Sequence, residues 1–155
     1  MNQFVVVLDN IRSLHNVGSI FRTADGAGAD KLYLCGMTAT PPRAEIRKAA
    51  LGAEEHVAWE YFSRTEQALA KLWGAGYHLF ALENETPRAV DFRSARYVFP
   101  LALIVGHEFN GIAPATLEMC DAIIQLPMHG AKSSLNVAVA FGVAAYEISA
   151  RLLRE

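Results

Sequence analysis

Strand and helix signals alternate from one end of this sequence to the other. That alternation predicts an α/β domain with a mostly parallel sheet and helices on both faces. Three observations carry the prediction. Phe4-Val5-Val6-Val7-Leu8 is continuously apolar, as a strand buried on both faces must be. Residues 4–35 then read strand, loop, helix, strand, the crossover unit that makes neighbouring strands parallel. Finally, 155 residues with 52% apolar and 19% charged side chains suffice for one core, and they show no linker, repeat or low-complexity stretch. A single domain over residues 1–155 is expected.

Element by element, the reasons are local. Asn16 is a good cap for a helix in which Val17, Ile20, Phe21 and Ala24 share a face and which ends at Gly26 and Gly28. Lys31 to Cys35 is the second strand. Residues 38–42 form a loop around Pro41-Pro42; Glu45 to Ala50 is a short helix and His56 to Tyr61 a short strand. Ser63 and Glu66 have capping-box spacing, opening a helix that turns Ala68, Leu69 and Leu72 inward. Tyr77 to Leu82, Phe99 to Val105 and Ala122 to Leu126 are further strands, and Pro114 starts a helical turn that faces Leu117 inward.

A final helix runs from about Ser134 to Leu153. From Val137 to Ala145 it is apolar or glycine throughout, the pattern of a helix buried on all sides. In so small a domain the outer face needs a further cover, and a second copy of the chain is the economical one, so a homodimer through this helix is expected.

Composition excludes several classes. Apolar content and a net charge of −2 exclude disorder. The longest uncharged stretch, Ser133 to Tyr146, is shorter than the ~18 apolar residues of a membrane helix, and no export signal opens the chain. A soluble, cytoplasmic protein is expected. Cys35 and Cys120 are too few for a disulfide scaffold, and the five histidines show no metal-ligand spacing. Asn84-Glu85-Thr86 reads as a chance sequon. Since the chain is not basic overall, any nucleic-acid contact must come from local clusters such as Arg12, Arg43, Arg47, Lys48 and Lys132.

Three segments hold more polar information than a fold requires. Asn16-Val17-Gly18 with Arg22-Thr23-Ala24 lies past the first strand, where open parallel sheets place ligands. Gly106-His107-Glu108-Phe109-Asn110-Gly111 has glycines that let a ligand approach the backbone, yet it is neither a dinucleotide fingerprint nor a P-loop. Leu126-Pro127-Met128 is followed by Ser134-Leu135-Asn136-Val137, in which Ser134 could cap the last helix. Asn136 would leave an amide in an apolar first turn. It therefore needs a partner, with Asn16 and the Glu108 loop as candidates.

In order and spacing the three segments together resemble the motifs of the SpoU (TrmH-like) branch of the SPOUT methyltransferases, over nearly the whole chain. The resemblance implies transfer of a methyl group from S-adenosylmethionine to a ribose 2′-hydroxyl of RNA, with tRNA or rRNA as the expected target, in a homodimer whose C-terminal segment forms a trefoil knot. It also implies site roles: Arg22 as catalytic residue, supported by Asn16, Glu108, Ser134 and Asn136, with Gly106, Leu126, Leu135, Met128 and Leu82 at the cofactor. A guanidinium keeps its proton to above about pH 12, so Arg22 is expected to act electrostatically, on a phosphate or a developing alkoxide. The sequence opens on its first strand, so no separate N-terminal RNA-binding domain is expected. The rival readings are a non-catalytic RNA-binding or assembly factor on the same fold, and a flavodoxin-like nucleotide-binding module.

Overall fold

A computed structural model describes residues 3–155. Seven strands form one sheet: β1 (Phe4–Asp9), β2 (Lys31–Cys35), β3 (Ala58–Phe62), β4 (His78–Leu82), β5 (Ala89–Asp91), β6 (Leu101–Val105) and β7 (Ala122–Gln125). Their order is β3-β2-β1-β6-β4-β7-β5, and every neighbouring pair is parallel. β1 is an interior strand beside the central β6, and its Val6 is in register with Leu32 on one side and Leu103 on the other. All six of its residues are buried, as an uninterrupted apolar run requires of a strand covered on both faces.

The helices are α1 (Leu14–Ala27), α2 (Ala44–Ala50), α3 (Thr65–Gly74), α4 (Pro114–Glu118) and α5 (Val137–Leu152). Because side chains alternate along a strand, the sheet has two cores. On one face Val6, Leu8, Leu34 and Leu103 pack with Ile20 and Phe21 of α1, Ile46 of α2 and Phe141 of α5. On the other, Val5, Val7 and Ile104 meet Leu69 and Leu72 of α3. Both cysteines are buried, and loss of solvent pushes each thiol up to about 12, so both behave as apolar side chains.

The caps differ from those read in the sequence. Ser13, not Asn16, caps α1: its hydroxyl accepts the Asn16 N–H at 3.1 Å. Arg64, not Ser63, precedes α3, and Gln67 rather than Glu66 reaches back to accept the Arg64 N–H at 3.2 Å, while Glu66 pairs with the Arg64 side chain. Asn136, not Ser134, caps α5 by accepting the Ala138 and Val139 N–H groups. β5 went unread because three residues at a sheet edge carry too little pattern. α5 is not buried on all sides within the chain: Phe141, Ala144, Ala145 and Ile148 face inward, whereas Val139, Val143 and Tyr146 are 54%, 41% and 56% exposed. No helix among the described residues is long and apolar enough to cross a membrane.

Candidate active site

Three adjacent strands, β6, β4 and β7, end side by side, and the chain leaving each one builds a cleft of about 420 Å³. Residues 83–85 follow β4, residues 106–111 follow β6, and residues 126 and 133–137 come from the segment joining β7 to α5. Parallel sheets place ligands at this end, where loops diverge from strands that fix their origins.

Glycine is required in the β6 loop. A Cβ on Gly106 would stand 2.6 Å from Ile112 Cγ1 and 2.8 Å from the Gly111 carbonyl carbon, too close for any side chain. Gly111 has a φ of 64° and lies against the Glu83 carboxylate, so it too excludes a side chain. Gly18 does similar work in α1, since a Cβ there would stand 2.5 Å from the Ile46 oxygen and force α2 away.

Hydrogen bonds join the segments. Glu108 accepts the N–H groups of Arg12 and Ser13, at 3.1 and 3.3 Å, and so fastens the β6 loop to the entry of α1. Asn136 donates its amide to Asn16 Oδ1 at 3.2 Å, which supplies the partner that the sequence demanded and links the start of α5 to α1. Asn84 is a residue of the cleft that sequence reasoning missed. Its amide nitrogen donates to the carbonyls of Leu126 and Ser133, at 3.0 and 3.2 Å, and its oxygen accepts the Leu126 N–H at 3.1 Å. Asn84 thus clamps both ends of the segment that passes from β7 toward α5. The available signal was an amide two residues past an apolar strand.

Of the expected site residues, Leu82, Gly106, Glu108, Leu126, Ser134, Leu135 and Asn136 line this cleft together. Asn16 is buried behind Asn136. Met128 and Arg22 are not part of the lining. Arg22 sits in a second hollow with His15, Ser19, Thr23, Lys48 and Tyr146. A third hollow, along the outer face of α5, shares Asn136 with the cleft and His15, Ser19, Thr23 and Tyr146 with the Arg22 hollow, so the three form one continuous strip.

The electrostatics of the cleft are one-sided. Glu83, Glu85 and Glu108 line it, and among the described residues no lysine or arginine does. Desolvation by burial raises the pKa of Glu83, a hydrogen bond from the Ile112 N–H lowers it, and Glu85 raises it. His107 uses Nδ1 to accept the N–H groups of Phe109 and Asn110, both at 3.1 Å. The proton of its neutral ring therefore sits on Nε2, and the ring presents a donor rather than a base. Such a cleft repels phosphates and favours a ligand that carries positive charge.

The sequence and the fold are similar to those of known proteins. The sequence profile of the SpoU rRNA Methylase family matches residues 3–146. A Bacillus subtilis protein named as of the TrmH family of tRNA/rRNA methyltransferases is 34% identical over 145 residues, covering 94% of this chain and 57% of the relative, so the chain spans little more than half of that protein. The tRNA (guanosine(18)-2′-O)-methyltransferase of Aquifex aeolicus is 35% identical, with 92% of this chain and 67% of that one covered. Among solved structures, an AdoMet-bound rRNA methyltransferase from Sinorhizobium meliloti superposes with a TM-score of 0.91 at 30% identity, covering 98% of this chain and 58% of its own. A structure described by its 2-OH methylation of C/U34 on tRNA gives a TM-score of 0.87 at 27% identity, covering 99% of both chains. With its sequence profile matched over residues 3–146, the chain belongs to the SpoU rRNA methylase family.

Proposed function

We propose that the chain is an RNA methyltransferase that uses S-adenosylmethionine to methylate a ribose 2′-hydroxyl of tRNA or rRNA in the cytoplasm. The observation that carries this reading is the cleft itself: backbone and apolar walls, three carboxylates, and no lysine or arginine among its described lining. A nucleotide-binding module would need donors for phosphate here, so the flavodoxin-like alternative is disfavoured.

The residues present fit that cofactor. Gly106 presents its backbone to the cleft, although the space a Cβ would take there is filled by Ile112 and Gly111 rather than left for a ligand, and Leu82, Leu126 and Leu135 offer apolar surface to a flat group. Glu83 and Glu85 supply negative charge for a sulfonium or an ammonium. The bound cofactor would supply the methyl group in an in-line displacement. Glu108 and Asn136 hold the cleft walls in place through the bonds to Arg12, Ser13 and Asn16, which keeps the reacting groups aligned, a term worth up to ~7–11 kcal/mol. Arg22, always charged, is suited to hold an RNA phosphate or to stabilise an oxyanion.

Two features of the assembly belong to this proposal. The trefoil knot of the C-terminal segment is supported by the superposition on the Sinorhizobium meliloti methyltransferase, and within that segment Asn84 ties Leu126 to Ser133. A homodimer through α5 is supported by exposed Val139, Val143 and Tyr146. The α5 strip lies between the cleft and Arg22, so a second copy packed there would bring an Arg22 toward each cleft.

Isothermal titration with S-adenosylmethionine, followed by incubation with the labelled cofactor and RNA lacking the modification, tests the reading. Binding together with a 2′-O-methylated nucleoside after digestion is the expected result. Binding of RNA without cofactor would instead establish the non-catalytic factor.

A further inference from the structure

Phe109 is 85% exposed, and it is the aromatic residue at the mouth of the cleft. The backbone that carries it is tied by hydrogen bonds. The His107 carbonyl accepts the Gly111 N–H at 2.9 Å, and His107 Nδ1 accepts the N–H groups of Phe109 and Asn110. Gly111 closes the turn at a φ of 64°. Three hydrogen bonds thus hold out a phenyl ring whose one ring neighbour is His107, tilted by 50° at a centroid distance of 6.2 Å. The fold gains little from such a ring, since it covers no core residue.

We propose that Phe109 is the stacking platform for the base of the nucleotide that is methylated. This rests on the reading of the cleft as the site of methyl transfer to RNA. The charge distribution selects the base as the part that enters. Glu83, Glu85 and Glu108 repel a phosphate, whereas a base is uncharged and presents a flat π face. The phosphate is left outside, on the side of Arg12, an exposed residue whose backbone N–H is held by Glu108. The apolar inner wall of Leu82, Val105 and Leu126 is buried and suits the cofactor, which leaves the exposed lip for what arrives from solvent. Stacking tolerates any base, so Phe109 fixes the pose of the nucleotide without reading its identity.

The test uses the full chain with unmodified bulk tRNA. Phe109→Ala is expected to lower kcat/KM for RNA about tenfold or more while the affinity for S-adenosylmethionine is unchanged. Phe109→Tyr and Phe109→Trp retain activity, and Phe109→Leu does not restore it. In the Phe109→Trp variant, corrected for Trp59 and Trp73 by subtraction of the wild-type signal, RNA quenches the added fluorescence, and an oligonucleotide of the same length that is abasic at every residue does not. The proposal is overturned if Phe109→Leu matches wild type, if Phe109→Ala weakens cofactor binding alone, or if it changes the sedimentation coefficient, which would make the ring a subunit contact. The quench needs no turnover, so it decides the stacking even if the wild-type chain transfers no methyl group.

Discussion

Glu83 is a cleft carboxylate whose burial costs the fold, a cost that the proposed cofactor would use. Desolvation raises its pKa, so between the ordinary carboxylate range and that raised value the folded chain holds more protons than the unfolded one. Stability contributed by this group therefore falls as pH rises through that window and stays lowered above it. Glutamine at this position keeps an oxygen for the Ile112 N–H and removes the charge. Glu83→Gln is expected to melt higher than wild type at neutral pH and to converge with it in acid, as thermal melts across pH would show. The same variant should bind S-adenosylmethionine about tenfold more weakly, roughly 1.4 kcal/mol, with little change for the uncharged-sulfur product. Equal losses for both ligands would place the role of Glu83 in shape rather than charge. A half-buried carboxylate that lacks a cationic partner is a cost to folding, and the neighbourhood of Glu85 increases it. Such a cost persists where a site needs it.

Among the elements, the start of α5 decides between two readings of the segment Ser134-Leu135-Asn136. The Asn136 side chain accepts from two first-turn N–H groups and donates to Asn16, while Ser134 faces the cleft. Asn136→Ala should cost about 1–2 kcal/mol of stability in denaturant unfolding, the scale of a lost N-cap. Ser134→Ala should stay within about 0.5 kcal/mol of wild type, as expected for a residue whose loss removes no cap. A reversed ranking would restore Ser134 as the cap. The case also shows what was legible. Because burial on one or both faces leaves a mark in composition, pattern and turn signals located every strand longer than three residues and every α-helix, but not the 3-10 turn at Ala53–Glu55. Caps moved by two or three residues in α1 and α5, because several neighbouring Ser and Asn side chains can each satisfy a first turn and only tertiary contacts choose among them. In the site, the need of Asn136 for a partner could be deduced from polarity alone, and Asn16 proved to be that partner. The Asn84 clamp could not be deduced, since nothing local shows that an amide will meet a chain segment more than forty residues away.

At the scale of the whole molecule, the strip joining the cleft to Arg22 has a consequence for assembly. Val139, Val143 and Tyr146 leave an apolar band on α5 between two polar hollows, and the inner face of the same helix is already committed to Phe141, Ala144 and Ile148. An aliphatic band flanked by polar rims is the usual anatomy of a subunit contact. Isologous pairing would apply the same band to itself and carry the Arg22 hollow of each copy toward the other's cleft. Two inactivating changes should then complement one another. Leu135→Trp fills the cleft of its own chain from a half-exposed wall position, and Arg22→Ala removes the guanidinium from its own hollow; each homodimer is expected to lose nearly all methyl transfer. Co-expressed with different affinity tags and purified for both, mixed dimers pair one intact cleft with one intact Arg22. Recovery of about a quarter to a half of the wild-type rate is expected if the site is completed across the interface. If Arg22 serves the cleft of its own chain, the mixed dimer holds no complete site and remains inactive. Val143→Asp supplies the control, because a charge in the centre of the band should yield monomers in sedimentation and abolish the complementation without altering either hollow.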